Sequence, residues 1–300
     1  MRALITGGKG FVGRWLAAHL AEQGDDVAVI DLETDVADGV AVRRVMDDVR
    51  PDAVYHLAAR THVGESWDDP SEVLRVNVLG TAEVLAAARA VGSAPRVVVV
   101  SSAEVYGVVR PEQLPLTADS PARPASPYAA SKLAAEAVAL QAWRGFGQPV
   151  LVVRPFNHIG PGQSPGFFVP ALAKRIVEAR RSGATSLPVG TLTTRRDFTD
   201  VRDVVVAYRL LVERGDPGEV YNVCSGRDVA MSEVAAQLLE LAGAELTLET
   251  DPELVRPVDV PVLRGDAGRL QAATGWEPTI TLAATLADVL ASWESEAGPG

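Results

Sequence analysis

Residues 2–13 read RALITGGKGFVG, and this stretch decides the fold class. A short apolar run leads into Gly7, Gly10 and Gly13, and an amphipathic helical pattern follows them. Glycines at this spacing permit a tight turn and let the backbone approach a pyrophosphate at the start of a helix. The stretch therefore predicts a strand, a dinucleotide-binding turn and a helix, with a plain strand–helix turn as the alternative.

Four more short apolar runs, rich in β-branched residues, follow this stretch. They are DDVAVID (25–31), DAVYHLAA (52–59), RVVVVSS (96–102) and PVLVVRP (149–155), with helical patterns between them near 39–50, 71–91 and 128–146. Nearly continuous apolar runs suit parallel strands that are buried on both faces. Because strands alternate with helices, the pattern predicts an α/β fold with a Rossmann-type doubly wound parallel sheet.

The pattern changes after this region, where NHIGPGQSPG (157–166) is typical of a loop. Shorter strands and helices follow, and EVYNVCS (219–225) has the apolar character of the earlier strands. We expect a dinucleotide-binding domain over 1–155 with a return near 199–225, and a smaller C-terminal substrate-binding lobe over 156–198 and 226–300.

The composition is that of a soluble globular enzyme. The 300 residues are 47% hydrophobic and 22% charged, and the formal net charge of −11 disfavours nucleic acid and anionic membranes as partners. The single cysteine, Cys224, excludes an intrachain disulfide and a cysteine cluster for zinc, so we expect no metal. The sequence shows no secretory leader and no apolar run of roughly 20 residues, so we expect a cytoplasmic protein.

An acidic residue closes the second predicted strand. Asp31 stands about 20 residues beyond the glycine turn, where a carboxylate accepts hydrogen bonds from the adenosine ribose and repels a 2′-phosphate. This position favours NAD(H) over NADP(H). Lys9 and Arg14 lie near the same turn, and because they would attract a 2′-phosphate, NADP(H) stays open as an alternative.

A tyrosine and a lysine in SPYAASK (126–132) stand four residues apart. On a helix this spacing places Tyr128 and Lys132 on one face, where a lysine is expected to lower the pKa of the phenol. Such a pair acts as a general acid and base on an alcohol or ketone. Chance pairs of this kind are common on exposed helices, but here a strand ending in Ser101 and Ser102 precedes the pair. A hydroxyl at that strand end would complete a Ser–Tyr–Lys triad.

With these motifs the sequence resembles an extended short-chain dehydrogenase/reductase of the NAD-dependent epimerase/dehydratase family, whose members act on nucleotide sugars. The matching pieces run nearly end to end: TGGKGFVG, YHLAA, VNVLGT, SSAEVYG, YAASK, RPFNHIGPGQ, RRDFTDVRDV and ATGWEP. The resemblance implies a catalytic triad of Ser102, Tyr128 and Lys132. In it, Ser102 binds the sugar C4 oxygen, Tyr128 transfers the proton, and Lys132 also holds the nicotinamide ribose.

The resemblance also implies which residues hold each ligand. The implied cofactor-binding residues are Gly7, Gly10, Phe11, Val12, Asp31, Asp35, Val36, Leu57, Ala58, Ala59, Asn77, Tyr128, Lys132 and Pro155. The implied substrate-binding residues are Ser66, Ser102, Asn157, His158, Arg196 and Arg256. The two arginines match positions that meet a diphosphate, a task that suits a planar guanidinium; a surface salt bridge is the alternative for each.

Three segments look most like those of reductases that act on GDP-4-dehydro-6-deoxy-D-mannose: RPFNHIGPGQ (154–163), RRDFTDVRDV (195–204) and YNVCSG (221–226). The resemblance implies NAD(P)H-dependent reduction of the C4 ketone to give GDP-D-rhamnose. The alternative is an NAD-retaining nucleotide-sugar 4-epimerase or 4,6-dehydratase. A non-catalytic dinucleotide-binding regulator is a third hypothesis, which the Tyr–Lys pair disfavours.

The segment SSAEVYG (101–107) bears on this choice. Glu104 occupies the position where the resembling dehydratases carry the base for the C5 proton, so we count it among the candidate catalytic residues. Reductases of this group also carry a carboxylate there, which leaves its role open. Tyr106 is expected to be structural, because Tyr128 already has the lysine partner.

The predicted helices near 71–91 and 128–146 are rich in alanine and leucine. Equivalent helices of the resembling family pair into an intersubunit four-helix bundle, which implies a homodimer; the alternative is that their apolar faces only cover the sheet. His56 lies inside a predicted strand and is expected to be a satisfied core residue. Cys224 is expected to be a buried small hydrophobe.

Overall fold

The computed structural model describes residues 1–254 and 260–297. Its first elements are β1 (Arg2–Thr6), α1 (Phe11–Glu22), β2 (Asp26–Ile30), α2 (Gly39–Val49), β3 (Ala53–His56), α3 (Pro70–Leu74), α4 (Gly80–Ala90), β4 (Arg96–Val100), α5 (Pro127–Phe146) and β5 (Val150–Pro155). The later ones are β6 (Asn157–Ile159), α6 (Phe168–Ser182), β7 (Ser186–Val189), β8 (Arg195–Asp200), α7 (Val201–Arg214), β9 (Val220–Val223), β10 (Asp228–Ala230), α8 (Met231–Ala242), β11 (Thr247–Thr250), β12 (Val262–Leu263), α9 (Gly268–Thr274) and α10 (Leu282–Glu296). A π-helical turn (Arg75–Leu79) joins α3 to α4.

A parallel sheet forms the larger part of the fold, with the strand order β2-β1-β3-β4-β5-β9. Every residue of β3 and β5 is buried, as continuous apolar runs predict for strands covered on both faces. Side chains of α1 and α7 pack on one face of the sheet, and side chains of α2, α4 and α5 pack on the other. The predicted doubly wound α/β fold is therefore confirmed.

The chain leaves this sheet directly after β5. The next strand, β6, pairs with β8, which also pairs with β10 and β12 in a second, smaller sheet. Helices α6, α8 and α10 share one hydrophobic core beside this smaller sheet. Between α6 and α8, the chain returns to the first sheet through α7 and β9. The carboxyl ends of the parallel strands thus face the smaller lobe, which is where ligands bind in open α/β sheets. The residue bounds of the two domains stay a prediction.

Three aspartates of RRDFTDVRDV fasten separate parts of the smaller lobe. Asp197 is fully buried and accepts hydrogen bonds from the backbone of Ser225, Gly226 and Gly265. Asp200 accepts from Thr285 and Arg202, and Asp203 from Thr279 and Ile280. Several donors per carboxylate are what a buried charge requires. These acids of the motif therefore have a structural role.

No helix within residues 1–254 and 260–297 has the length and apolarity needed to span a membrane.

Candidate active site

The glycine turn between β1 and α1 leaves no room for side chains. A Cβ on Gly13 would lie 2.3 Å from the Gly7 oxygen, and one on Gly7, whose φ is +72°, would lie 2.8 Å from the Ala58 nitrogen. No side chain of the described residues caps α1 at Gly10, so the first N–H groups of that helix are open to an anion. This cradle fits the pyrophosphate of a dinucleotide.

The carboxylate of Asp31 lies beside this cradle, at the end of β2. It accepts a hydrogen bond from the Lys9 backbone N–H at 2.7 Å. The Lys9 ammonium itself pairs with Glu33 at 2.9 Å, and Arg14 donates to the carbonyls of Lys9 and Gly162. Lys9 and Arg14, the two cations that left NADP(H) open, therefore already have partners within the protein.

Two other predicted cofactor residues face the helices rather than the turn. Asp35 accepts a hydrogen bond from Arg75 at 2.7 Å, and Val36 is buried against Gly80. Leu57, Ala58 and Ala59, in contrast, follow β3 beside the glycine turn and stay partly exposed. Phe11 and Val12 begin α1, and Pro155 ends β5.

Asn77 lies in the π-helical turn and is buried. Its amide accepts a hydrogen bond from the Arg60 N–H and donates to the Arg60 carbonyl and to Ser131. Ser131 lies between Tyr128 and Lys132 on α5, so this amide braces the helix that carries them. The side chain of Asn77 is thus engaged within the protein.

His56 is the satisfied core residue that the sequence predicted. Thr81 donates its one hydroxyl proton to the Asn77 carbonyl, so Thr81 accepts from His56 Nε2 at 3.0 Å, and His56 Nδ1 accepts from Thr6 at 2.7 Å. Burial lowers the pKa of His56 to about 3, with the Lys132 charge acting in the same direction, so the ring is neutral at pH 7. Cys224 is buried as predicted, and burial raises the pKa of its thiol.

The structure brings Ser102, Tyr128 and Lys132 together. Ser126 caps α5 and Pro127 begins it, which places Tyr128 in the first turn. The Ser102 hydroxyl lies close enough to the Tyr128 phenol to lower its pKa, and the Lys132 ammonium lies 6.0 Å from the centre of the Tyr128 ring. The predicted triad therefore stands at the carboxyl end of β4.

The predicted lowering of the Tyr128 pKa by Lys132 is wrong for this structure. Burial raises the pKa of Tyr128 to about 12; the Ser102 hydrogen bond opposes this, and the Glu104 charge adds to it. Burial also lowers the pKa of Lys132 to about 8, opposed by Glu136. The ammonium donates to the Val100 carbonyl at 2.8 Å rather than to the phenol, so desolvation dominates. Tyr128 is consequently protonated at neutral pH and is able to donate a proton.

Glu104 lies in the 3₁₀ turn (Ala103–Tyr106) that follows Ser102. The Ser102 hydroxyl caps this turn by accepting from the Glu104 N–H at 3.2 Å. The Glu104 carboxylate is half-buried and acts electrostatically on Tyr128. The turn thus brings an acid, a hydroxyl and a phenol to one place.

The predicted substrate residues Ser66, Asn157 and His158 differ in how their side chains are presented. Asn157 begins β6 and is exposed. His158, the next residue, lies on the other side of the strand, with its ring stacked on Phe11 at 6.2 Å and its Nδ1 bonded to the Phe156 carbonyl. The buried Ser66 hydroxyl donates to a carbonyl of its own loop. Only Asn157 of the three presents its side chain openly.

Of the two predicted phosphate-binding arginines, only Arg196 lies within the described residues. The half-buried Arg196 guanidinium donates to the carbonyls of Arg195 and Val260, which ties β8 to the chain before β12. Arg256 lies outside the described residues.

A buried polar network behind the triad was not predicted. Glu136 pairs with Arg154, and Arg154 also donates to the Tyr106 hydroxyl, which bonds Asn222. The structural role predicted for Tyr106 is therefore confirmed. Two signals were available in the sequence: a charged residue four positions after Lys132 in an alanine-rich helix, and a charged residue inside the apolar run PVLVVRP.

Within the described ranges, no group of three or more His, Cys, Asp or Glu side chains is arranged to hold a metal ion.

Comparisons with known proteins show the family of this chain. The family model described as the NAD dependent epimerase/dehydratase family matches residues 3–224. The chain is 39% identical to a GDP-6-deoxy-D-mannose reductase from Pseudomonas aeruginosa, over 98% of this chain and 97% of that protein. It is 31% identical to a UDP-glucose 4-epimerase from Mycolicibacterium smegmatis, over 96% of each. Among solved structures, RMD from Pseudomonas aeruginosa complexed with NADPH matches with a TM-score of 0.90 and 39% identity, over 98% of this chain and 99% of that one. As its motifs predicted, this chain therefore belongs to the NAD dependent epimerase/dehydratase family.

Proposed function

We propose that this protein uses NAD(P)H to reduce the C4 ketone of a nucleotide-linked 4-keto-6-deoxyhexose. The proposed substrate is GDP-4-dehydro-6-deoxy-D-mannose, and the product is GDP-D-rhamnose. The observation that carries the reaction type is the meeting of Ser102, Tyr128 and Lys132 beside the glycine cradle. The substrate rests on the similarity to a GDP-6-deoxy-D-mannose reductase over nearly the whole of both chains.

Each side chain of the triad has a distinct task in this reaction. When bound, the reduced nicotinamide supplies a hydride for the C4 carbon. The Ser102 hydroxyl donates a hydrogen bond to the ketone oxygen, and Tyr128 gives that oxygen its proton as the alcohol forms. The Lys132 cation then stabilises the phenolate that remains on Tyr128. The glycine turn and Asp31 would hold the pyrophosphate and the adenosine ribose.

The protonation state of Tyr128 is compatible with reduction. Burial raises the pKa of Tyr128 to about 12, so the phenol carries its proton at neutral pH, and reduction of a ketone consumes that proton. An ordinary phenol is also protonated at this pH, so the choice of reductase over epimerase or dehydratase rests on the similarity over nearly the whole of both chains.

Glu104 favours one second candidate, a 4,6-dehydratase. Its carboxylate lies in the same turn as the triad hydroxyl and is close enough to act electrostatically on Tyr128. A carboxylate there suits removal of a carbon-bound proton at C5. The two functions differ in cofactor stoichiometry, because a reductase oxidises one NAD(P)H per product whereas a dehydratase regenerates its NAD.

The deciding experiment follows absorbance at 340 nm and the sugar product together. Purified protein is incubated with GDP-4-dehydro-6-deoxy-D-mannose and NADH or NADPH, and with GDP-mannose and NAD. We expect one reduced nicotinamide to be consumed for each GDP-D-rhamnose formed. Conversion of a GDP- or UDP-sugar with no net oxidation of nicotinamide would refute the reductase.

We expect Glu104→Gln to lower reductase activity only modestly, by about 2- to 10-fold, through binding or orientation, as for the loss of one hydrogen bond or nearby charge. The measurement is kcat/KM for ketone reduction, together with mass-spectrometric detection of deuterium exchange at the sugar C5. Complete loss of turnover, with C5 exchange abolished as well, would show that the dehydratase assignment is the correct one.

We expect the protein to prefer NADH, and Asp31→Asn to reduce that preference. The carboxylate would repel the 2′-phosphate of NADPH, and two unit charges near a protein surface interact by about 1–4 kcal/mol. The ratio of kcat/KM for NADH to that for NADPH should therefore fall about tenfold or more. The control is Asp47→Asn, which removes an exposed carboxylate on α2. Equal ratios in Asp31→Asn and the unmodified protein would contradict this role.

We also propose that the protein is a homodimer. Leu74 and Leu79, on α3 and the adjoining π-helical turn, are about half exposed, and Trp143 and Phe146 near the end of α5 are exposed as well. A homodimer that pairs these helices would cover these side chains, and contiguous exposed apolar patches mark interaction sites. Light scattering after gel filtration should give twice the chain mass of 31.6 kDa, and a monomeric mass would contradict the proposal. The cytoplasmic location stays a prediction.

A further inference from the structure

The buried ion pair between Glu136 and Arg154 lies directly behind the triad. The two side chains are 2% and 6% exposed. Arg154 donates from Nε to Glu136 Oε1 at 2.8 Å and from Nη2 to Oε2 at 2.7 Å. This is the bidentate geometry that gives such pairs a defined orientation. The pair joins α5 to β5 in one fixed arrangement.

The pair also reaches the end of β4, where the triad hydroxyl begins its turn. The Ser101 hydroxyl donates to Glu136 Oε1, and the Lys132 ammonium donates to the carbonyl of Val100. Val100, the last residue of β4, and Ser101, which follows it, are thus bonded to two positions one helical turn apart on α5. The next residue along the chain is Ser102, so these bonds set its register against Tyr128.

The arginine side of the pair is held just as firmly. Arg154 Nη1 donates to the Tyr106 hydroxyl at 3.0 Å and to the Ala118 carbonyl at 3.1 Å. Tyr106 in turn donates to Asn222 Oδ1 on β9 at 2.6 Å. Because Tyr106 closes the turn that starts at Ser102, the network fastens both ends of that turn.

A purely structural need would not call for charges at this position. Apolar residues of similar volume are often as good as a buried ion pair for stability, or better, because both charges lose their hydration. A charge close to a catalytic lysine does something that apolar residues do not. We propose that the Glu136–Arg154 pair is a positioning device that sets both the place and the charge of Lys132; this inference rests on the proposed triad.

Among the charged and titratable groups around Lys132, Glu136 is the one that helps Lys132 to keep its proton. These groups are Tyr128 and Glu136 on its own helix, His56 on β3, and Arg154 on β5 behind Glu136, while Glu104 in the turn after β4 acts on Tyr128. On α3 and its adjoining π-helical turn, Glu72 and Arg75 pair with each other, and Arg75 also pairs with Asp35. Burial lowers the pKa of Lys132, and Glu136 is the group that opposes this change.

The test is the pH profile of kcat/KM for ketone reduction in three variants. The alkaline limb of the profile is the fall in kcat/KM as Lys132 loses its proton. Glu136→Gln keeps the shape of the side chain but removes its charge and leaves the Arg154 charge unbalanced. We therefore expect this limb to move to lower pH by about one unit or more. The double variant Glu136→Gln with Arg154→Met removes both charges, and its limb should move less in the same direction. Glu136→Asp keeps the carboxylate, so its limb should stay within a few tenths of a unit of the unmodified protein.

If Glu136→Gln alone folds poorly, the double variant still tests the inference, because the double variant leaves no unpaired buried charge. Asp47→Asn, on the exposed face of α2, is the control for an unrelated carboxylate. Two results would overturn the inference. One is a pH profile of the unmodified protein that has no alkaline limb. The other is a limb that does not move in the double variant while activity falls equally at every pH. Retained activity in Tyr128→Phe would instead show that the proposed triad itself is wrong.

Discussion

Tyr128→Phe is expected to lower kcat for ketone reduction by about 10²–10⁴-fold, the usual contribution of a general acid. The change removes only the phenol hydroxyl, which lies near Ser102 and which we propose gives its proton to the ketone oxygen. Packing should be preserved, because the ring keeps its place in the first turn of α5. The measurement is kcat at saturating NADH, with KM for the sugar followed separately.

Tyr55→Phe is the matched control for this change. Tyr55 is buried on β3, and its hydroxyl has no hydrogen-bond partner among the residues that the structure describes. Removing a buried hydroxyl without a partner should leave activity unchanged and stability equal or slightly higher. Full activity in Tyr128→Phe, or an equal loss in both variants, would contradict the role of Tyr128 as proton donor.

Arg154→Met is expected to lower the free energy of unfolding by about 3–5 kcal/mol, as when one partner of a buried ion pair is removed. The change leaves the Glu136 carboxylate buried without its cation and deprives the Tyr106 hydroxyl of a donor. The measurement is the midpoint of urea unfolding at constant slope. Adding Glu136→Gln to this variant should recover part of the loss, because the uncompensated charge is then gone.

Arg43→Met provides the comparison at the surface. Arg43 pairs with Asp47 four residues along α2, and both side chains are about half exposed. An exposed helical pair of this kind contributes about 0.3–0.5 kcal/mol. Similar losses in Arg43→Met and Arg154→Met would show that the buried network does not carry the stability assigned to it.

Local patterns in the sequence were enough to predict much of the site. The glycine spacing of RALITGGKGFVG predicted the cofactor turn, and the structure shows why: a Cβ on Gly13 would collide with the Gly7 carbonyl. The four-residue spacing of Tyr128 and Lys132 placed both on one helical face. Spacing along a helix and backbone freedom at glycine are local properties, so residues near in sequence determine them.

The direction in which a side chain points, and the residues that surround it, were not predictable from the sequence in the same way. His158 follows Asn157 in a matching motif, yet strand alternation turns its ring onto Phe11. Asn77 belongs to a motif that lines cofactors in the resembling family, but its amide is engaged by Arg60 and Ser131. Motif matching identifies a position, whereas the contacts of a side chain depend on which elements pack around it.

What the sequence determined by itself is the α/β fold, the glycine turn and the prediction that Ser102, Tyr128 and Lys132 lie together, because apolar runs and short spacings follow from local stereochemistry. Only the tertiary structure decided the direction in which the pKa values of Tyr128 and Lys132 shift. The pKa of Tyr128 is raised rather than lowered because several elements together exclude water from the phenol. Glu136 and Arg154 stand 18 residues apart, on α5 and β5, and pair behind Lys132 because the helix packs on that strand.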